Sequence, residues 1–125
     1  MKDEKFSIRA RIKSFRFSFE GLAAFFKREH NSWIHFIATI VVLVFSYWIG
    51  VTKTEMIAIV FAIGFVWVAE IFNTCIERVM DFISVEKHND IKFIKDLASG
   101  GVLIAAITAV IIALIIFVPK LIILL

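Results

Sequence analysis

The sequence predicts an all-α membrane protein, with an N-terminal amphipathic surface helix followed by three transmembrane helices. Three observations carry this. The 125-residue chain is 61% hydrophobic, against about 45–50% for a soluble domain, and its mean hydropathy is +0.93. Three runs, Trp33–Val51, Met56–Ala69 and Leu97–Pro119, contain no Asp, Glu, Lys or Arg. These runs lack the Gly/Pro/Asn punctuation that divides strands every few residues, and the chain has one proline, Pro119. Its length suits a single domain, residues 1–125.

The segment from about Lys5 to Lys27 reads as the surface helix. Ile8, Ile12, Phe15, Phe19, Leu22 and Phe26 recur at spacings of four and three and share one face. Arg9, Lys13, Arg16 and Lys27 flank that face, the pattern of a helix lying among lipid headgroups. Phe6 and Phe17 fall opposite the apolar stripe and are defects in it. Charge and Phe alternate over the first twenty residues, without the apolar core of a cleavable signal peptide.

The first span covers about 33–51, with Trp33 at one end and Tyr47 and Trp48 at the other as interfacial anchors. Residues 50–55 form a polar turn. The second span covers about 56–83 and leaves the bilayer near Glu77. Residues 84–96 read as a charged loop, and the third span covers about 98–118. Gly101, Ala105, Ala109 and Ala113 set small residues at every fourth position of that span, a face for close helix packing. Of the 14 basic residues, eight precede the first span and four lie between Arg78 and Lys95. The positive-inside rule therefore puts the N-terminus and the 84–96 loop in the cytoplasm.

The chemistry concentrates where the second apolar run ends. At about 100° per residue, Glu70, Asn73, Glu77 and Asp81 fall on one strip of a helix that begins in hydrocarbon. A charge at mid-bilayer costs about 2.5 kcal/mol or more, so this face needs a cation, a substrate hydroxyl or a proton path. Glu29, at the cytoplasmic mouth of the first span, and Glu77 can share a Mg²⁺ completed by water and phosphate oxygens. Burial of Glu70 suits a general base. Asn73 can orient a hydroxyl or a metal-bound water, and Lys95 and His88 can meet phosphates. Three helices cannot wrap so long an acidic strip, which predicts a homo-oligomer.

No G-x-x-x-x-G-K-[ST] phosphate loop, H-x-x-x-H pair, cysteine pair or nucleic-acid module is present, and the single Cys75 excludes an internal disulfide. Spacing alone leaves open a metal-dependent lipid enzyme and a cation or proton pathway.

Glu70-Ile71-Phe72-Asn73-Thr74-Cys75-Ile76-Glu77-Arg78-Val79-Met80-Asp81 resembles the E-x-x-N-[ST]-x-I-E-x-x-x-D signature of the prokaryotic diacylglycerol kinase/undecaprenol kinase family. Lys95-Asp96-Leu97-Ala98-Ser99-Gly100-Gly101-Val102-Leu103 is similar to that family's second motif, and Phe19-Glu20-Gly21-Leu22 and Glu29 fall at its spacing. The resemblance implies a small multi-pass lipid kinase of the bacterial cell membrane. It implies a homotrimer with active sites shared between subunits, moving the γ-phosphoryl of MgATP to a lipid hydroxyl. It makes Glu70 the general base, and Glu29 and Glu77 the Mg²⁺ ligands and so part of the nucleotide site. Glu86, Lys87, His88, Lys95 and Asp96 become further nucleotide contacts, and Asn73 and Ser99 line the reacting centre. Glu29-His30-Asn31-Ser32-Trp33-Ile34-His35 resembles the E-x-N-x-x-x-H form of the undecaprenol kinase branch. That form implies undecaprenol as acceptor, with Asn31 among its contacts, and diacylglycerol as the alternative. Ala10 and Phe17 depart from an arginine and a tyrosine found in some members.

Overall fold

The computed structural model describes residues 6–86 and 88–125. Four helices follow one another: α1 (Ile8–Arg28), α2 (His30–Ile49), α3 (Lys53–Ile83) and α4 (Asn89–Leu124). The last three are each long and apolar enough to cross a bilayer. The chain divides into two compact units, one ending at Ala38 and the other Thr39–Leu125.

In the first unit, α1 starts on Ser7, whose Oγ accepts a hydrogen bond from the Ala10 N–H at 3.4 Å, an N-cap. Lys5, the expected first residue, lies outside the described residues. The apolar stripe stands uncovered: Ile8, Ile12, Phe15 and Phe19 are all exposed, and no residue of α1 is buried. Glu29 alone ends the helix, by taking extended backbone angles (φ −112°, ψ 113°). Its N–H still donates to the Phe25 carbonyl at 3.0 Å, and α2 begins at the next residue.

Such an abrupt joint requires partners for the carbonyls that a helix end leaves free. Two side chains from α2 supply them. The Trp33 indole N–H donates to the Phe26 carbonyl at 2.9 Å, and the fully buried Ser32 donates through Oγ to the Glu29 carbonyl at 2.6 Å. Phe26 also meets Trp33 and Phe36 edge-on, at centroid distances of 5.6 and 5.9 Å. Helix therefore begins three residues before Trp33, and that tryptophan braces the joint.

In the second unit, α2 ends at Gly50, which takes the left-handed conformation (φ +80°). The N–H groups of Gly50 and Val51 both donate to the Ser46 carbonyl, at 3.1 and 3.2 Å, closing the helix in the manner of a glycine C-cap. Thr52 then opens α3 with a capping box. Its Oγ1 accepts from the Glu55 N–H at 3.2 Å, while Glu55 Oε1 accepts from the Thr52 N–H at 2.8 Å. This is the tight polar turn expected of residues 50–55. From Thr39 onward α2 reaches its neighbours through long side chains. Trp67 Nε1 donates to Thr39 Oγ1 at 2.9 Å, and the Phe45 and Phe117 rings lie 5.0 Å apart.

α3 and α4 form an antiparallel hairpin pinned at both ends. Lys120 Nζ meets Glu55 Oε1 at 2.9 Å, and Lys95 Nζ meets Asp81 Oδ1 at 2.9 Å. Between these pins Ile59 and Ala62 of α3 and Ala105 and Ile116 of α4 are buried. Counting inward from either pin brings Ala105, which is 0% exposed, level with Glu70. A small side chain there lets the backbones approach. Of the four-residue series, Ala105 is buried, Ala109 and Ala113 are half-buried, and Gly101 is exposed.

α4 differs from expectation at both ends. Residues 89–96 of the 84–96 segment are helix, because the charges there sit at helical spacing. Asp90 occupies the first turn, Lys92 pairs with Asp96 at i,i+4, and the Lys92 N–H bonds the His88 carbonyl at 2.9 Å. The other end continues through Pro119 to Leu124. The proline lacks an N–H to offer the preceding turn, but Lys120 immediately after it is anchored to Glu55.

Replacing Ala105 with Phe is expected to overfill the α3–α4 contact and destabilise the fold by about 1–3 kcal/mol, read as a shifted unfolding midpoint in mixed micelles. Gly101→Ala is the control. A Cβ at Gly101 meets nothing within 4 Å, and the helix propensity gained favours folding by up to about 1 kcal/mol.

Candidate functional site

The polar strip of α3 is intact along one face. Glu70, Asn73 and Glu77 are half-buried and Asp81 is exposed, so the strip passes from protein-lined surroundings to an open surface over about 16 Å of helix. Asn73 Nδ2 donates to Glu77 Oε1 at 3.3 Å. In this bond the amide nitrogen faces Glu77 and the amide carbonyl is turned away. That carbonyl oxygen, Asn73 Oδ1, is buried and has no hydrogen-bond partner, the single side-chain atom in this condition among the described residues. Leaving an acceptor so costs about 1–3 kcal/mol. The position can accept from a donor such as water or an alcohol hydroxyl.

Where α3 hands over to α4 a pocket of about 560 Å³ opens. The end of α3 and the connection supply Asp81, Ser84, Val85 and Glu86. His88 and the first turns of α4 supply the other wall, including Lys92, Lys95 and Asp96. The pocket thus brings together four of the expected nucleotide contacts, Glu86, His88, Lys95 and Asp96. Lys87 lies outside the described residues. Ser99 is exposed, one helical turn beyond Lys95.

Lys92 and Lys95 precede the uncharged Leu97–Pro119 stretch and lie outside the spanning part of α4. The Asp96 hydrogen bond raises Lys92 above the ordinary lysine range. The Asp81 hydrogen bond does the same for Lys95, against some desolvation and with the charges of Asp81 and Glu77 adding. Glu77 is therefore within electrostatic reach of the pocket although it does not line it. Asp81, which sequence reasoning placed on the strip without a task, proves to be the partner of Lys95. Nothing in the sequence pairs two residues 14 apart on different helices.

Glu29 and Asn31 belong to the first unit. Glu29 is half-buried and is itself the joint between α1 and α2, while Asn31 is exposed in the first turn of α2. Among the described residues no group of three or more His, Cys, Asp or Glu side chains could by itself hold a metal ion. Glu77, braced by Asn73, instead offers one carboxylate. That fits a Mg²⁺ arriving on phosphate oxygens, which takes one or two carboxylates and otherwise keeps water and phosphate ligands.

Residues 16–117 match the model of a family described as prokaryotic diacylglycerol kinase. The chain is 32% identical over 120 residues to the undecaprenol kinase of Bacillus subtilis (strain 168), covering 96% of this chain and 98% of that protein. It is 33% identical over 100 residues to the diacylglycerol kinase of Escherichia coli (strain K12), covering 80% and 82%. A third relative, the diacylglycerol kinase of Synechocystis sp., is 28% identical over 88% of this chain and 63% of its own length. With three helices fit to cross a bilayer and a match that runs from the middle of α1 to near the end of α4, this chain is a membrane protein belonging to the prokaryotic diacylglycerol kinase family.

Proposed function

We propose that the protein transfers the γ-phosphoryl group of MgATP to the hydroxyl of a membrane lipid, undecaprenol in the first place. The observation that carries this is the continuity of one polar face. Glu70, Asn73 and Glu77 emerge from an apolar helix and lead to a charged pocket of about 560 Å³ at its end. A lipid alcohol approaches from the bilayer side and a nucleotide from the water side. Their reacting groups meet along α3.

In this scheme the acceptor hydroxyl lies beside Asn73 and donates its one proton to Glu70. Its oxygen attacks the γ-phosphorus, the bond to the β–γ bridging oxygen breaks, ADP departs, and the hydroxyl proton passes to Glu70. Phosphoryl transfer asks the protein chiefly to position groups and balance charge. Lys95 suits the phosphate chain, with Glu86, Lys87, His88 and Asp96 around the remainder of the nucleotide and Ser99 one turn from Lys95. Glu77 and Glu29 would hold the Mg²⁺, which when bound neutralises charge on the phosphate oxygens. Asn73 keeps the Glu77 carboxylate in place.

Undecaprenol is favoured over diacylglycerol on two grounds. The relative named undecaprenol kinase aligns with 96% of the chain, against 80% for the Escherichia coli diacylglycerol kinase. The Glu29–His35 stretch, with Asn31, has the form expected of that branch. Residues 1–125 act as one catalytic domain in a bacterial cell membrane, with α1 on the cytoplasmic surface and the α3–α4 connection on the same side. The exposed apolar faces of α2, α3 and α4 are covered by lipid and by two further copies in a homotrimer, which completes each acidic strip.

Purified protein given labelled ATP, Mg²⁺ and an equimolar mixture of undecaprenol and diacylglycerol is expected to label undecaprenol preferentially; labelling of neither lipid rejects the proposal. Glu70→Gln should lower kcat by about 10²–10⁴-fold while the oligomer, followed by crosslinking, stays intact. Glu77→Gln should shift the Mg²⁺ dependence of nucleotide binding to higher concentration with a smaller loss at saturating Mg²⁺.

A further inference from the structure

Asp81 closes the acidic strip, and the roles proposed above leave it without one. Its surroundings supply one. Both described lysines lining the pocket are held by carboxylates lining the same pocket, Lys92 by Asp96 and Lys95 by Asp81. The first is an i,i+4 pair that one helix makes within itself. The second crosses from α3 to α4 at 2.9 Å, with Lys95 37% and Asp81 57% exposed, so solvent and solutes reach it. A polyphosphate entering the pocket must take Lys95 from Asp81 or share it with Asp81.

We propose that Asp81 is a specificity-determining counter-ion of the nucleotide pocket. It holds the Lys95 ammonium in place until phosphate displaces it, and its own charge selects nucleotide already partly neutralised by a divalent cation. This rests on the pocket being the nucleotide site. The selection follows from Coulomb's law. A fixed carboxylate repels a bound anion in proportion to the anion's charge, about four units for a free nucleoside triphosphate and about two once Mg²⁺ is attached. Removing the carboxylate therefore relieves the metal-free form about twice as much in free energy, so its affinity gain is roughly the square of the gain for the Mg²⁺ form. The geometry sets the scale. The pair is solvent-accessible, and exposed pairs of this kind correspond to factors on the order of two to five in an equilibrium constant.

The test is equilibrium binding of a non-hydrolysable ATP analogue to the full-length protein in zwitterionic micelles, with Mg²⁺ or with chelator. It compares wild type with Asp81→Asn, Asp81→Glu, Lys95→Gln and the Asp81→Asn/Lys95→Gln double variant. Asp81→Asn is expected to tighten metal-free analogue about two- to fivefold and the Mg²⁺ form by about the square root of that factor. Both gains should shrink at about 0.5 M salt, where exposed charges are screened. Asp81→Glu, which keeps the charge, should preserve the wild-type preference, and it decides the question if Asp81→Asn does not fold. Lys95→Gln should weaken binding, and the double variant should be non-additive. Equal tightening of both forms, no change, or weaker binding in Asp81→Asn overturns the counter-ion role, as does loss of the preference in Asp81→Glu. If Lys95→Gln leaves affinity untouched, the assignment of the pocket to nucleotide falls first. If Lys95→Gln weakens binding and Asp81→Asn fails to tighten it, the counter-ion role alone falls.

Discussion

The antiparallel contact between α3 and α4 is what the rest of the second unit depends on. Two ion pairs, Glu55 with Lys120 and Asp81 with Lys95, set its register, and buried Ala105 allows it to close. That register is what places a polar strip on α3 beside a helix uncharged from Leu97 to Pro119, with a charged pocket at one end. The solvent-accessible Asp81–Lys95 pair has little intrinsic strength. The value of both pairs is geometric. A slip of one residue along either helix would break both pairs and rotate the strip away from its neighbour.

Much of this was legible from residue order, for identifiable reasons. Uncharged runs of helical length have few alternatives in a bilayer, because every backbone amide must be satisfied within the segment. The Glu70–Asp81 strip was legible because helical periodicity alone puts those side chains on one face. The Gly50–Glu55 turn was legible from its chemistry. A glycine free to take positive φ precedes a threonine with a glutamate three residues later.

Other features escaped for equally physical reasons. Charge density made residues 84–96 look like a loop, yet Lys92 and Asp96 are spaced to support a helix, which starts at Asn89. Pro119 suggested an end, but a helix closed by a cross-helix ion pair at the next residue carries on past it. The pairing of Asp81 with Lys95 depends on the register of two helices, which no local pattern encodes. The same holds for the brace at the first joint, since no local pattern encodes the bond from Trp33 to the Phe26 carbonyl.

The joint at Glu29 has a mechanical consequence. Its backbone is the whole of the connection between α1 and α2, and both of its ends are tied by hydrogen bonds, the N–H to Phe25 and the carbonyl to Ser32. A hinge made of one tethered residue has no slack. Any torque on α1 is therefore carried by the backbone angles of Glu29 and passes straight into the first turn of α2, with no loop between them to absorb it.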